Sequence, residues 1–312
     1  MTGRKKNIWI FGGTGFIGKA LVKYLSKSDD YLLHLLVHKN IPYRFLEPFS
    51  VYTGSLENFD LSWMEKYPPD IIFHLARLGG SNAISRRISS AKGKKANQRL
   101  IQFLPKLKTS PVIVYVSGSL MYGNQKNESS ANENSELNPI SYARFYYRAE
   151  EPWLKAQVSE QLDIRFARPG WILGHDSWFR IFYWEPYIRS GKIPLYGDGS
   201  QLMSLIYLDD CVAQIVNLAE KGQRNQNLNI FSGPPISQKN FAELLAKHLN
   251  TEVVQFPVSK LTIKYGKTVT EALTSSIPLT TNYPEFNRSD SIYYPYLQGM
   301  LEKVISFFEN IK

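Results

Sequence analysis

Three glycines at three-residue intervals, Gly12, Gly15 and Gly18, constrain this chain more than any other feature of its sequence. They follow a short apolar run, residues 7–11, and open an amphipathic stretch, residues 18–26. Between a strand and a helix, the first glycine permits a tight turn, the second lets the backbone approach a pyrophosphate, and the third lets the helix pack on the strand. Free N–H groups and the positive helix end then favour phosphate. The turn therefore predicts a dinucleotide site with contacts from Gly12, Thr14, Gly15, Phe16, Ile17 and Gly18.

Short apolar runs alternate with amphipathic stretches beyond this turn, which is typical of a parallel sheet with helices on both faces. The near-continuous apolar residues 71–73 and 112–116 indicate strands that are buried on both faces. The predicted strands are residues 7–11, 33–37, 50–52, 70–75, 111–117 and 162–167, and the predicted helices are residues 18–26, 61–67, 97–107 and 142–157. The fold class that this order predicts is α/β, a Rossmann-like doubly wound parallel sheet.

The pattern loosens after Pro169, where aromatic residues become frequent, and strand–helix alternation returns at residues 202–231. We therefore expect a dinucleotide-binding domain at residues 1–170, completed by about residues 202–231. Residues 171–201 and 232–312 would form a smaller, discontinuous C-terminal substrate lobe. Its last helix is expected at residues 297–310, which carry an apolar stripe.

The formal net charge of +10 suggests an anionic partner, and basic residues are concentrated at residues 86–99. Nucleic acid is disfavoured because no recognition motif accompanies the charge, and a phosphate-bearing cofactor explains part of it. The sequence contains no ligand spacing typical of zinc sites, so it predicts no metal site. The single cysteine excludes an internal disulfide, which fits a reducing, cytoplasmic location. The apolar run after the basic N-terminus is too short for a signal peptide or a membrane span.

The residues at the end of the second predicted strand indicate whether the cofactor is NAD or NADP. A carboxylate there would bind the adenosine ribose and select NAD. Residues 36–40 contain none, and His38 and Lys39 are suited to meet a 2′-phosphate. The sequence therefore favours NADP, with NAD left open, and a solvated Lys39 without a ligand is the alternative.

Taken together, these motifs resemble the extended short-chain dehydrogenase/reductases, the NAD-dependent epimerase/dehydratase family, over nearly the whole chain. Residues 12–18 resemble its glycine motif, residues 70–76 its fourth strand, and residues 117–123 its catalytic-serine segment. Residues 168–174 resemble its cofactor-wall loop. The resemblance implies further cofactor contacts at Ser55, Leu56, Leu75, Ala76, Pro169 and Ile172. It also implies a homodimer through the helices predicted at residues 97–107 and 142–157, which the sequence alone leaves open.

The family's catalytic motif is incomplete in this sequence. The resemblance implies Tyr142 as the acid/base, but Tyr146 stands where the family has a lysine. Gly118 occupies the Ser/Thr position, with Ser117 and Ser119 on either side as candidates to polarise the substrate oxygen. A tyrosine is a weak acid with a pKa of about 10 until a nearby cation stabilises its phenolate. The missing lysine therefore leaves catalysis open.

A second resemblance concerns Phe145, Tyr146 and Tyr147, which look like the Phe-Tyr-Tyr motif of the progesterone 5β-reductase/iridoid synthase branch. This branch reduces enones with NADPH, and its catalytic tyrosine comes from that motif. Leu120 stands where the branch has its loop lysine, so this motif is incomplete as well. The alternative is that the three aromatic residues pack a helix on the sheet.

The sequence is compatible with two functions. The first is an NAD(P)-dependent, epimerase-like oxidoreductase that transfers hydride to or from a carbonyl, hydroxyl or enone of a small, bulky or nucleotide-linked substrate. The second is a catalytically degenerate NAD(P)-binding protein with a structural, sensing or partner-binding role.

Overall fold

The computed structural model describes residues 4–38, 43–80, 82–125, 129–287 and 292–310. The chain divides into two units. The first comprises Met1–Ser117, Phe145–Ala167 and Val212–Leu228, and the second comprises Gly118–Arg144, Arg168–Cys211 and Asn229–Lys312. None of the described helices has both the length and the apolar character needed to cross a membrane.

The described strands are β1 Lys6–Phe11, β2 Tyr31–Val37, β3 Ser50–Thr53, β4 Ile71–His74, β5 Val112–Val116, β6 Asp163–Pro169, β7 Trp171–Leu173, β8 Ile193–Tyr196, β9 Leu202–Tyr207, β10 Asn227–Ile230, β11 Ser232–Ser237 and β12 Val253–Phe256. The described helices are α1 Phe16–Leu25, α2 Tyr43–Leu46, α3 Ser62–Lys66, α4 Ala83–Phe103, α5 Ser141–Val158, α6 Glu185–Ser190, α7 Leu208–Lys221, α8 Gln238–His248, α9 Val258–Tyr265, α10 Lys267–Thr274 and α11 Leu297–Glu309.

Seven of these strands form one parallel sheet in the order β10-β6-β5-β4-β1-β2-β3. The chain starts at β1 in the sheet interior, moves outward through β2 and β3, and then returns to the other side of β1 with β4. This reversal creates a topological switch point between β1 and β4, where ligands bind in sheets of this kind. The predicted doubly wound parallel sheet is confirmed.

Strand burial explains why the apolar runs became interior strands. Ile8, Trp9, Ile10 and Phe11 of β1 are all completely buried, so both faces of the strand are covered. Such a strand cannot show the alternation of a half-exposed strand, and the sequence shows a continuous apolar run instead. The core of the first unit continues through aromatic residues such as Trp153.

Helix α4 begins much earlier than the sequence predicted. The apolar pattern indicated a start at residue 97, but the helix starts at Ala83. Asn82 and Ser85 form a capping box, in which the Ser85 amide donates to Asn82 Oδ1 at 2.8 Å and the Asn82 amide donates to Ser85 Oγ at 3.0 Å. The first half of the helix is polar and basic, so a helix there leaves no apolar stripe in the sequence.

The second unit contains a three-stranded sheet, β11-β9-β7, and a two-stranded sheet, β12-β8. Strand β9 pairs with β7 in parallel and with β11 in antiparallel fashion. Of the strands within residues 202–231, only β10 therefore belongs to the seven-stranded sheet. The neighbours of β9 are β7 and β11. The aromatic residues noted in the sequence form the core of this unit, which includes Phe179, Tyr183, Tyr196 and Phe241.

Candidate functional site

The glycine turn between β1 and α1 lies at the switch point. Gly12 has a φ of +90°, and a Cβ added there would lie 2.8 Å from the Ala76 amide nitrogen. A Cβ at Gly18 would lie 2.0 Å from the Gly12 carbonyl oxygen, so backbone atoms exclude any side chain at both positions. At Gly15 the nearest protein atom would be 3.4 Å away, which is ordinary contact. Only this middle glycine leaves room beside the turn.

Helix α1 presents a suitable end to an anion. Its first N–H groups have no acceptor within the helix, and its N-cap residue, Gly15, has no side chain that could accept from them. The first turn contains no acidic residue. A pyrophosphate at this end gains both hydrogen bonds and a favourable helix dipole. The turn therefore fits the dinucleotide that the sequence predicted, with Thr14, Phe16 and Ile17 on either side of Gly15.

The end of β4 closes one side of the turn. The Leu75 amide donates to the Phe11 carbonyl at 2.8 Å, and Ala76 lies against Gly12. These two residues were predicted to contact the cofactor, and the structure brings both to the glycine turn. One residue earlier, His74 Nε2 lies 2.9 Å from Asn97 Oδ1, and Asn97 Nδ2 donates to the Ala149 carbonyl at 2.7 Å. This chain of hydrogen bonds joins β4 to α4 and α5.

The buried His74 makes stability depend on pH. Burial lowers the pKa of His74 from 6.5 to about 4, and it does the same for His34 in β2. The folded protein thus binds these protons more weakly than the unfolded chain. Their contribution to stability is present above about pH 6.5 and is lost as the pH falls towards 4. For His74 the full change corresponds to roughly 3 kcal/mol.

Urea unfolding between about pH 7 and about pH 4 tests this expectation. The free energy of unfolding of the wild type should fall as the medium becomes acidic. His74→Gln keeps an N–H group that can donate to Asn97 but has no titrating ring, so its stability should fall less steeply. Equal slopes for the variant and the wild type would contradict the assignment.

Strand β5 ends next to a buried pair of a serine and a carboxylate. The Ser117 hydroxyl donates to a Glu150 carboxylate oxygen at 2.7 Å, and both side chains are buried. Ser117 was predicted as a candidate to polarise the substrate, and the structure shows its hydroxyl proton directed to Glu150. Ser119, the other candidate, lies in the second unit, in a buried single-turn helix at Ser119–Tyr122.

Helix geometry sets the positions of the tyrosines on α5. Tyr142 and Tyr146 are four residues apart, so they lie one turn from each other on the same face of the helix. Both side chains are half-buried. Tyr146, at the family's lysine position, lies beneath the guanidinium of Arg77, whose central carbon is 5.0 Å from the ring centre.

Arg77 is the residue that sequence reasoning missed. It follows Ala76 directly, and its Nη2 donates to the carbonyls of Val116 at 3.2 Å and Ser117 at 2.5 Å. The signal that could have found it was a charged residue three positions beyond a fully buried strand at the switch point. The resemblance stopped at Ala76 and therefore passed over it.

The remaining predicted cofactor residues lie at several places. Leu56 and Ala76 line a narrow cavity together with Arg77 and Tyr146. The Ser55 amide and hydroxyl both donate to Asn58 Oδ1, at 2.7 and 2.8 Å, after the end of β3. His38 is exposed at the end of β2, and Lys39 lies outside the described residues. In the second unit, Pro169 ends β6 and Ile172 lies in β7.

Residues 8–231 match the profile of the NAD dependent epimerase/dehydratase family. The chain belongs to this family. The resemblance that the glycine turn and the later motifs suggested is thereby confirmed.

Individual members of the family are distant from this chain in sequence. It is 24% identical over 268 residues to a dTDP-D-glucose 4,6-dehydratase of Dictyostelium discoideum, a match that covers 76% of this chain and 61% of that protein. It is 25% identical over 255 residues to the epimerase family protein YfhF of Bacillus subtilis (strain 168), which covers 77% of this chain and 79% of that protein.

Solved structures of family members share the fold. The dTDP-glucose 4,6-dehydratase of Bacillus anthracis str. Ames, solved in complex with NAD, has a TM-score of 0.77 at 19% identity, over 98% of this chain and 97% of that chain. Human epimerase family protein SDR39U1, solved with NADPH, has a TM-score of 0.75 at 17% identity, over 96% and 99%. At these identities the likeness establishes the epimerase/dehydratase fold.

Proposed function

We propose that this chain is a nicotinamide-dependent oxidoreductase of the epimerase/dehydratase type that acts on a nucleotide-linked small molecule. The observation that carries the proposal is the glycine turn, where backbone atoms exclude a side chain at Gly12 and Gly18 but leave space beside Gly15. Family membership supports it. Neighbours of the same fold hold NAD or NADPH, and a UDP-glucuronic acid 4-epimerase from Bacillus cereus holds UDP-glucuronic acid with NAD.

A bound nicotinamide supplies the hydride donor or acceptor, so the chain's own residues orient the substrate and move a proton. We assign the proton transfer at the substrate oxygen to Tyr142, which is half-buried on α5. The substrate group is a hydroxyl, a carbonyl or an enone oxygen. Ser119 is the better candidate to donate to that oxygen, because the hydroxyl proton of Ser117 is directed to Glu150.

NADP is the cofactor that we favour over NAD. The proposal rests on the end of β2, where His38 is exposed and residues 36–40 contain no carboxylate to accept from the ribose hydroxyls. His38→Asp introduces that carboxylate. We expect it to shift the ratio of NADH to NADPH affinity towards NADH by roughly tenfold, as measured by quenching of tryptophan fluorescence. An unchanged ratio would contradict the role of His38.

The activity is tested with purified protein and each of the four nicotinamide cofactors. UDP-hexoses, dTDP-hexoses, simple carbonyls and enones serve as substrates. Nicotinamide absorbance reports net oxidation or reduction, and chromatography with mass spectrometry reports epimerisation or dehydration without a net absorbance change. We expect cofactor binding and turnover of at least one nucleotide-linked substrate. Failure to bind NADH and NADPH would refute the proposal, whereas binding without any turnover would favour a degenerate binding protein.

A further inference from the structure

We propose that Arg77 provides the cation that binds the nicotinamide ribose, in place of the lysine that is missing at Tyr146. The inference rests on the proposed function, because it assigns a residue to the cofactor site of that activity. It adds a binding residue that neither the glycine turn nor the family's motif predicts.

Arg77 follows the residue that lies against the glycine turn. Strand β4 pairs with β1 at the switch point, and the backbone of Ala76 lies against Gly12. Arg77 is the next residue, so its side chain starts at the edge of the site that the turn provides for the pyrophosphate. A dinucleotide whose phosphates lie on the N-terminus of α1 extends from there across the carboxyl ends of β4 and β5.

Contacts with β5 and α5 hold the Arg77 guanidinium in place. Nη2 donates to two carbonyls at the end of β5, those of Val116 and Ser117, and the guanidinium lies over the Tyr146 ring. These contacts hold the cation over the residue that replaces the lysine. A guanidinium carries five N–H donors in a planar fork. Within the part of the chain that the structure describes, only Nη2 donates to protein, and the side chain is exposed, so Nε and Nη1 can donate to ribose hydroxyls.

Several lysines of α4 and α5 are held at carboxylates. Lys92 Nζ lies 3.7 Å from a Glu57 carboxylate oxygen. Lys94 and Lys155 both bind the Glu151 carboxylate, with N–O distances of 2.6 and 2.8 Å. This pairing holds their ammonium groups at Glu151. Among the residues that the structure describes, Arg77 is the one whose cationic group lies over the Tyr146 ring.

The experiment compares ligands that contain or lack the nicotinamide ribose. ADP carries the two phosphates but not this ribose, ADP-ribose carries both, and NADH adds the nicotinamide; the 2′-phosphorylated forms are used if NADPH binds more tightly. Dissociation constants are measured by calorimetry for the wild type, Arg77→Met and Arg77→Lys. We expect Arg77→Met to weaken ADP-ribose and NADH by roughly 10- to 100-fold and ADP by less than about twofold. Arg77→Lys should retain part of the affinity.

Two further variants separate cofactor binding from a structural role. Arg148→Met removes an exposed arginine from α5 and should leave all three affinities unchanged. Adding Tyr146→Lys to Arg77→Met restores a cation at the family's usual position and should recover ADP-ribose binding. If Arg77→Met does not fold, Arg77→Lys with and without Tyr146→Lys gives the same comparison.

The outcomes distinguish the inference from the proposed function. Equal weakening of ADP and ADP-ribose would overturn the inference, since Arg77 would then bind phosphate or support the turn. Unchanged ADP-ribose affinity in Arg77→Met would overturn it as well. A wild type that binds NADH and NADPH, with either of these results, leaves the proposed function standing, whereas a wild type that binds neither overturns both.

Discussion

Replacing Gly18 with alanine should destabilise the first unit by about 3 kcal/mol or more and abolish cofactor binding. The added Cβ would lie 2.0 Å from the Gly12 carbonyl oxygen and 2.8 Å from the Gly13 Cα. Both neighbours are backbone atoms, so no side-chain rotation can relieve the overlap. Helix α1 would have to move away from the turn, and its N-terminal amides would move with it. Urea unfolding measures the first effect, and quenching of tryptophan fluorescence by NADH and NADPH measures the second.

Gly15→Ala is the matched control for this prediction. Gly15 has a φ of −78°, which alanine adopts readily, and its added Cβ would meet nothing closer than 3.4 Å. The variant should therefore keep a stability close to that of the wild type. Its methyl group would nevertheless stand where a pyrophosphate approaches the turn, so affinity should fall. Normal binding by Gly15→Ala, or normal stability of Gly18→Ala, would contradict this description of the turn.

Replacing Tyr142 with phenylalanine should lower kcat by roughly 10²–10⁴-fold on a substrate that the wild type turns over. The change removes one hydroxyl group and keeps the ring, so the packing of α5 should be preserved. The cofactor dissociation constant should stay close to that of the wild type. A variant with full turnover would remove Tyr142 from the proposed chemistry.

Phenylalanine at Tyr146 and at Tyr147 provides the comparison within the same helix. The two registers of the sequence predict different tyrosines, because the resemblance to the 5β-reductase branch places the acid/base in the Phe-Tyr-Tyr segment. If Tyr142 acts, Tyr146→Phe and Tyr147→Phe should each retain most of the turnover. Loss of turnover in either of them, with Tyr142→Phe active, would assign the chemistry to the other register.

Features of this fold that depend on local interactions are predictable from the sequence, whereas features that depend on distant partners are not. The turn at residues 12–18 was predictable because the steric demand on Gly18 arises from Gly12, which is close in sequence, although the demand on Gly12 arises from the distant Ala76. Buried strands such as β1 and β5 were predictable because their apolar runs are continuous. The start of α4 was not, since it depends on a capping box in a polar segment whose helix presents no apolar stripe.

The amino-acid sequence by itself determined the strand–turn–helix unit at Gly12–Gly15–Gly18, the parallel sheet built on it, and the loss of lysine at Tyr146. Only the tertiary structure decided that β9 joins a sheet with β7 and β11, that Ser117 donates to Glu150, and that Arg77 lies over Tyr146. Each of these is a pairing between residues distant in the chain. A local sequence pattern determines which backbone conformation a segment prefers. The partners of distant residues depend on how the strands and helices pack together, which no single segment determines.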